Sequence, residues 1–239
     1  MASWTTPLAR NSLVRNPLKF VLCRSSVTRP TRFSIQKGQP ISMSKKTDIT
    51  LYTAATPNGI KVPILLAELG LEYKLHHMKL RENEQKEPWY LDNINPNGRI
   101  PAITDIYYDG RQIRVFESGA IMEYLVDRYD KDHRISYPKD SREHWETMSW
   151  LMWQVGGLGP MQGQLEHFRR YAAEKIEYPI KRYDQETRRL YRTMETHLSK
   201  SSHGFLVGDR LTIADIACWG WVSSHNTNYT YLKILMALV

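Results

Sequence analysis

In the stretch Ile49-Thr50-Leu51-Tyr52-Thr53-Ala54-Ala55-Thr56-Pro57-Asn58-Gly59-Ile60 two hydrophobic periods meet. Residues 49–53 alternate as a short strand does, whereas Ile60, Ile64, Leu65 and Leu69 recur at helical spacing until Gly70 stops the pattern. Thr56-Pro57-Asn58-Gly59 is therefore a turn that opens a helix. A helix N-terminus presents unpaired amides and a partial positive charge. These favour an anion by roughly 0.3 to 1 kcal/mol and make a nearby thiol more acidic. The Thr56 hydroxyl and the Asn58 amide group would add two donors to a thiolate held there. As a bare motif, the same four residues read rather as an ordinary capped turn.

Working outward, a strand is expected at residues 73–78 and a helical stretch at 86–91, ended by the breaker Asn95-Pro96-Asn97-Gly98. Ile100-Pro101-Ala102-Ile103 and Arg114-Val115-Phe116 read as two further strands joined by a hairpin at Tyr108-Asp109-Gly110. Ser118 is the expected cap of a helix running to about Tyr129. Mixed strands and helices in this order predict a thioredoxin-like α/β layer over residues 48–130. Residues 131–139 are polar, carry Pro138 and read as a linker. From 140 to 239 the expectation is an all-helical domain. It starts near Asp140 and Glu143, with one apolar stripe at Trp145, Met148, Met152 and Val155 and a second at Trp150 and Trp153. Two greasy faces on one helix must both be covered, most commonly by core, otherwise by a domain or subunit interface or a ligand pocket. Thr212-Ile213-Ala214-Asp215 is a capping box, flanked by Leu211 and Ile216 as a hydrophobic staple.

Two more places could carry chemistry. A cis bond at Ile100-Pro101 would leave the Ile100 amide and carbonyl free to pair with an extended peptide, and a trans proline on an edge strand is the other option. At Glu117-Ser118-Gly119 a second helix start could bind a carboxylate through backbone amides and the Ser118 hydroxyl. Taken together, a thiolate site, a backbone-pairing site and a carboxylate site answer the three needs of a γ-glutamyl tripeptide.

The net charge of +8 suggests nucleic acid until it is located. Seven of the 33 basic residues lie in residues 1–42, which hold no Asp or Glu; 26 remain against 25 acidic residues in the body. A near-neutral body has no electrostatic reason to grip a phosphate backbone, so nucleic acid is not an expected partner. A mean hydropathy of −0.51 and no apolar run approaching the roughly 20 residues a bilayer requires speak against a membrane-spanning helix. The basic, acid-free residues 1–47 have the composition of an organelle transit peptide or of a disordered tail; import into mitochondria and a cytoplasmic start at Met43 are both open. Of two cysteines, Cys23 lies in that leader and Cys218 in the body, so neither a Cys-rich metal site nor a Cys-x-x-Cys redox pair is expected.

The body resembles the cytosolic glutathione transferases, and within them the bacterial Nu-class enzymes and the related domain of the fungal nitrogen-regulating prion protein. The resemblance is carried, in order, by Thr56-Pro57-Asn58-Gly59, by Asn95-Pro96-Asn97-Gly98-Arg99-Ile100-Pro101-Ala102 and by Phe116-Glu117-Ser118-Gly119-Ala120-Ile121. It continues through Trp153-Gln154-Val155-Gly156-Gly157-Leu158-Gly159-Pro160-Met161, Arg182-Tyr183 and Ile213-Ala214-Asp215-Ile216-Ala217. It implies the glutathione transferase fold, glutathione as co-substrate, no metal and a homodimer. Thr56 and Asn58 would contact the glutathione sulfur, Ile100 would pair with the cysteinyl unit, and Glu117 and Ser118 would hold the γ-glutamyl end. Gln85 and Arg99 would stand at the pocket's edge, and Arg182 would reach across the dimer. Tyr52, inside the strand, is expected to pack. The implied activity is conjugation to a small electrophile or glutathione-dependent disulfide reduction, with a non-catalytic regulatory module of the same family as the alternative. The likeness fades after the helix carrying Asp215: the chain turns to Asn226-Thr227-Asn228-Tyr229 and ends in residues 234–239, which reads as a truncation of the helical domain.

Overall fold

The computed structural model describes residues 45–224; the expectations for the leader and for the chain's final residues lie outside them. Strand β1 (Thr50–Thr53) leads through the turn to α1 (Lys61–Glu68) and on to β2 (Lys74–His77). Two short 3-10 turns (Leu80–Glu82 and Glu84–Lys86) and α2 (Pro88–Asn93) follow, then β3 (Ala102–Ile106), β4 (Gln112–Phe116) and α3 (Ser118–Tyr129). The sheet order is β2-β1-β3-β4, with β1 parallel to β2 and antiparallel to β3, and β3 antiparallel to β4. This is the thioredoxin-like layer that the strand pattern predicts.

The helical part contains α4 (Arg142–Trp153), a π-helical turn at Gln154–Leu158, α5 (Gly159–Glu166), a second π turn at His167–Tyr171, α6 (Glu177–Leu198) and α7 (Ile213–Val222). Local chemistry shifts two of the predicted starts. Ser141, not Asp140, caps α4, its hydroxyl accepting from the His144 amide at 3.1 Å. Ser118 is the first residue of α3 and makes no capping bond. The cap position belongs to Glu117, held at φ 68°, a strained region for a residue with a side chain. The segment expected as a plain linker is pinned: Asp130 accepts from the Arg134 and Ile135 amides and the Ser136 hydroxyl, and Ile135 is buried.

The main core lies between the sheet and the helical part. Leu51, Leu65, Ile103 and Ile121 from the layer pack with Leu151 of α4 and with Ile216 and Ala217 of α7. A second cluster is internal to the helices, and a third, around Tyr90 and Ala102, closes the other sheet face under α2. Tyr52 packs in that third cluster, edge-on to Tyr90 at 6.1 Å. The two stripes of α4 divide. Trp150 and Trp153 pack on the second cluster and Met148 and Val155 on the first, whereas Trp145 and Met152 remain 66% and 51% exposed.

Helix α7 touches both parts. Its capping box is formed as expected: Asp215 accepts from the Thr212 amide and hydroxyl at 2.8 Å each. Its other oxygen takes the Leu206 amide, also at 2.8 Å. One face of α7 then presses on the α1 turn so closely that a Cβ on Gly220 would stand 2.2 Å from the Pro57 carbonyl oxygen. A methyl there displaces backbone, which costs roughly 1 to 3 kcal/mol. Gly220→Ala is therefore expected to lower the midpoint of thermal unfolding by several degrees, measured by circular dichroism, and an unchanged melt would refute the close docking.

Candidate active site

The seam between the sheet layer and the helices holds a cleft of about 600 Å³. It is reached from the layer by Thr56, Asn58, Gln85, Arg99, Ile100, Glu117 and Ser118, and from the helices by Gln154 and Trp221 among others. Seven of the eight sequence-predicted site residues thus come together. The eighth, Arg182, stands exposed on α6 and does not line the cleft of its own chain.

The turn that opens α1 is built from its own hydrogen bonds. Thr53 Oγ1 donates to the Gly59 carbonyl at 2.8 Å, and the Gly59 amide donates to Thr56 Oγ1 at 3.0 Å. The Ile60 and Lys61 amides are taken by the Thr56 and Asn58 carbonyls. This corrects one expectation from sequence: the Gly59, Ile60 and Lys61 amides are spent inside the turn and are not open to a ligand. What remains is side-chain chemistry with a fixed polarity. Because Thr56 Oγ1 accepts from Gly59, its own proton is left to donate outward. Because Asn58 Oδ1 accepts from the Trp221 indole at 2.9 Å, the NH₂ end of that amide is the one left for the cleft. Gly59 is required here, since a Cβ would fall 2.0 Å from the Ala54 carbonyl oxygen.

The opposite wall is shaped by the Asn95 loop. Asn95, almost fully buried, donates to the Arg99 carbonyl at 2.9 Å and accepts from the Asn97 amide, and Tyr90 also donates to the Arg99 carbonyl at 2.7 Å. These bonds carry the chain into Ile100, and the Ile100–Pro101 peptide is cis. Among the described residues nothing bonds the main chain of Ile100. Glu117 accepts from Asn97 Nδ2 at 3.3 Å at the mouth. Gln85 Oε1 is buried without a partner, so the cleft offers an unmet acceptor on that side.

Three contributors escaped the sequence reading. Lys61 is 1% exposed yet lines the cleft, donating to Gln154 Oε1 at 2.6 Å and to Ser118 Oγ at 3.3 Å. Burial lowers its pKa to about 7. Gln154 is fully buried with its Nε2 unpartnered. The available signal was a lysine four residues before Leu65, on the apolar stripe of α1. Trp221 lies 163 positions from its partner Asn58, and no local pattern reaches that far. Cys218 is fully buried, its thiol pushed up by that burial, so it is no nucleophile.

A thioredoxin-like layer docked on a helical domain, with a cleft at the seam, defines the fold class of the glutathione transferases. Comparison with known proteins agrees. Residues 47–127 match the family described as glutathione S-transferase, N-terminal domain, and residues 177–233 match glutathione S-transferase, C-terminal domain. The disulfide-bond oxidoreductase YfcG of Escherichia coli is 43% identical over 178 residues, covering 74% of this chain and 80% of that protein. A glutathione transferase homolog from Lodderomyces elongisporus, solved with two GSH per subunit, superimposes with a TM-score of 0.74 at 42% identity, over 80% of this chain and 90% of that one. The nitrogen regulation fragment of the yeast prion protein Ure2p gives 0.72 at 30% identity, over 84% and 93%. The chain belongs to the glutathione S-transferase family.

The Trp221 contact makes a specific demand. Trp221→Phe removes the indole donor, freeing the Asn58 amide to rotate, and thins the packing of the ring beside Gly159 and Gly163, so turnover should fall by roughly 3- to 10-fold and the melting temperature by a few degrees. Equal turnover in the variant would show that Asn58 needs no such lock.

Proposed function

We propose that the chain is a glutathione-dependent enzyme that holds the tripeptide's sulfur as a thiolate between Thr56 and Asn58. One observation carries this reading: two side-chain donors, each with its oxygen already accepting a hydrogen bond, meet at the mouth of α1, and among the described residues no reactive cysteine accompanies them. Hydrogen bonds to an ionised group are each worth roughly 1.5 to 3 kcal/mol, enough for two of them to move a thiol's acidity by more than a unit. The protein then supplies acidity and orientation, and glutathione supplies the nucleophile.

The remaining residues divide the tripeptide between them. Ile100 offers main-chain groups to the cysteinyl unit, Glu117 a carboxylate to the γ-glutamyl ammonium, and Ser118 its hydroxyl to the carboxylate beside it. Gln85 and Arg99 take the other end. From this position the thiolate attacks either an electrophilic carbon, forming a thioether, or a disulfide sulfur. In the disulfide case the first attack expels one thiolate, and a second glutathione thiolate displaces the other to give glutathione disulfide. The kinship with a named disulfide-bond oxidoreductase favours the second chemistry.

Turnover of a small disulfide and of an aryl halide should both be measured. Replacing Thr56 and Asn58 together by alanine is expected to raise the pKa of bound glutathione toward its solution value and to cut turnover roughly 100-fold. Unchanged acidity and rate in the double variant would end the mechanism. The kinship with a nitrogen regulator defines the second reading, a binding module; retention on immobilised glutathione with neither reaction catalysed would establish it.

We further propose a homodimer in which α4 meets its copy. The exposed Trp145 and Met152 give that helix an apolar face, and Arg182 on α6 is free to approach a neighbour's cleft. Light scattering should return twice the chain mass, and Trp145→Glu with Met152→Glu should return one chain mass.

A further inference from the structure

Lys61 is a buried cation without a buried anion. Its hydrogen bonds go to two neutral oxygens, Gln154 Oε1 and Ser118 Oγ, which leaves one ammonium proton over. The titratable and charged groups around it are otherwise engaged. On α7, Cys218 is held neutral by burial, and Asp215 is committed to Thr212 and Leu206. At the start of α3, Glu117 is exposed and bonded to Asn97. On the π turn the facing group is Gln154, whose own Nε2 is fully buried and unpartnered in the same cleft wall. The wall thus holds an amine that is charged at and below neutral pH and an amide donor, neither of which the protein itself pairs with an anion. Such a pair is one half of a carboxylate site.

We propose that Lys61 is a positioning residue that supplies the counter-charge for the ligand's γ-glutamyl carboxylate, acting through Ser118. By donating to Ser118 Oγ, the ammonium occupies an acceptor lone pair of that hydroxyl and leaves its proton to point at the carboxylate. The carboxylate in turn balances the charge that the empty cleft leaves unbalanced. This rests on the glutathione reading above and adds to it a residue and a proton. In the empty protein burial holds the Lys61 pKa at about 7, so above that pH the side chain is mostly neutral. An arriving anion favours the charged form and raises the pKa. Binding between pH 7.5 and 8.5 therefore takes a proton from solution, and binding at pH 6 takes almost none.

The test is calorimetric titration of the full chain with S-methylglutathione, which has no thiol to ionise, in pairs of buffers whose ionisation heats differ, HEPES and Tris at pH 8 and MES and Bis-Tris at pH 6. At pH 8 the wild-type protein should take up roughly 0.8 of a proton per site, falling toward zero at pH 6. Lys61→Met should bind about tenfold more weakly at pH 6.5, with the uptake abolished. An analogue lacking the γ-glutamyl carboxylate should show no uptake on either protein. Binding by wild type without uptake, or equal uptake by Lys61→Met, overturns the role of Lys61 and leaves the glutathione reading intact. Absence of any S-methylglutathione binding overturns both. The wild-type buffer comparison needs no variant, so it decides the matter even if Lys61→Met does not fold.

Discussion

The seating of α7 on the first turn of α1 is the contact from which the cleft follows. Asp215 fixes where α7 begins, its two oxygens collecting the Thr212 amide and hydroxyl and the Leu206 amide. Helical periodicity then fixes what comes after it. Cys218 falls in the helical core, Gly220 against the Pro57 carbonyl and Trp221 within reach of Asn58. A cap is usually counted at about 1 kcal/mol of stability. In this chain it has a second consequence, because a helix started one residue later would rotate its faces by about 100° and present neither Gly220 nor Trp221 to the turn.

That contact explains why the site is made of side chains. A helix start with free amides would bind anions of many kinds. Here Gly59, Ile60 and Lys61 spend their amides on closing the turn, and the donors that remain are two, Thr56 and Asn58, each locked in direction by a bond to its acceptor atom. For the thiolate proposed to lie there, preorganised donors would need no reorientation, which is the condition under which electrostatic stabilisation is largest. The helical domain takes part in this directly, since one of the two locks is the Trp221 indole.

The parts of this architecture that sequence reveals are those governed by short-range rules. Alternation marks β1, the spacing of Ile60, Ile64, Leu65 and Leu69 marks α1, and the spacing from Thr212 to Asp215 marks the start of α7. The layer's half of the cleft was legible for the same reason, because Thr56, Asn58, Ile100, Glu117 and Ser118 sit at turns and element starts that punctuation residues announce. The other half was not. Lysine and glutamine read as surface residues, and only tertiary packing turns Lys61 and Gln154 inward. Ser118 looked like a cap because serine usually is one; the strained Glu117 took that position and left the Ser118 hydroxyl to Lys61. Arg182 illustrates the opposite limit, a residue whose expected role needs a second chain.

A buried lysine is poor value as a stabilising device. Replacing buried charges by apolar groups of similar volume is often neutral or favourable, so packing alone gives no reason for an ammonium at position 61. Methionine or leucine would fill the same volume between Gly220 and the cleft wall. The physical reason has to lie with something absent from the folded chain that benefits from a positive charge there. The surroundings limit what that something is. Phosphate groups are usually met by several backbone amides or arginine forks, and here the amides of the α1 turn are spent and Arg99 is the one arginine lining the cleft. One ammonium set behind one serine hydroxyl matches the single charge of a carboxylate. On this proposal the cost of keeping Lys61 dry is borne by the empty protein and relieved in the complex, which couples ligand binding to proton uptake near neutral pH.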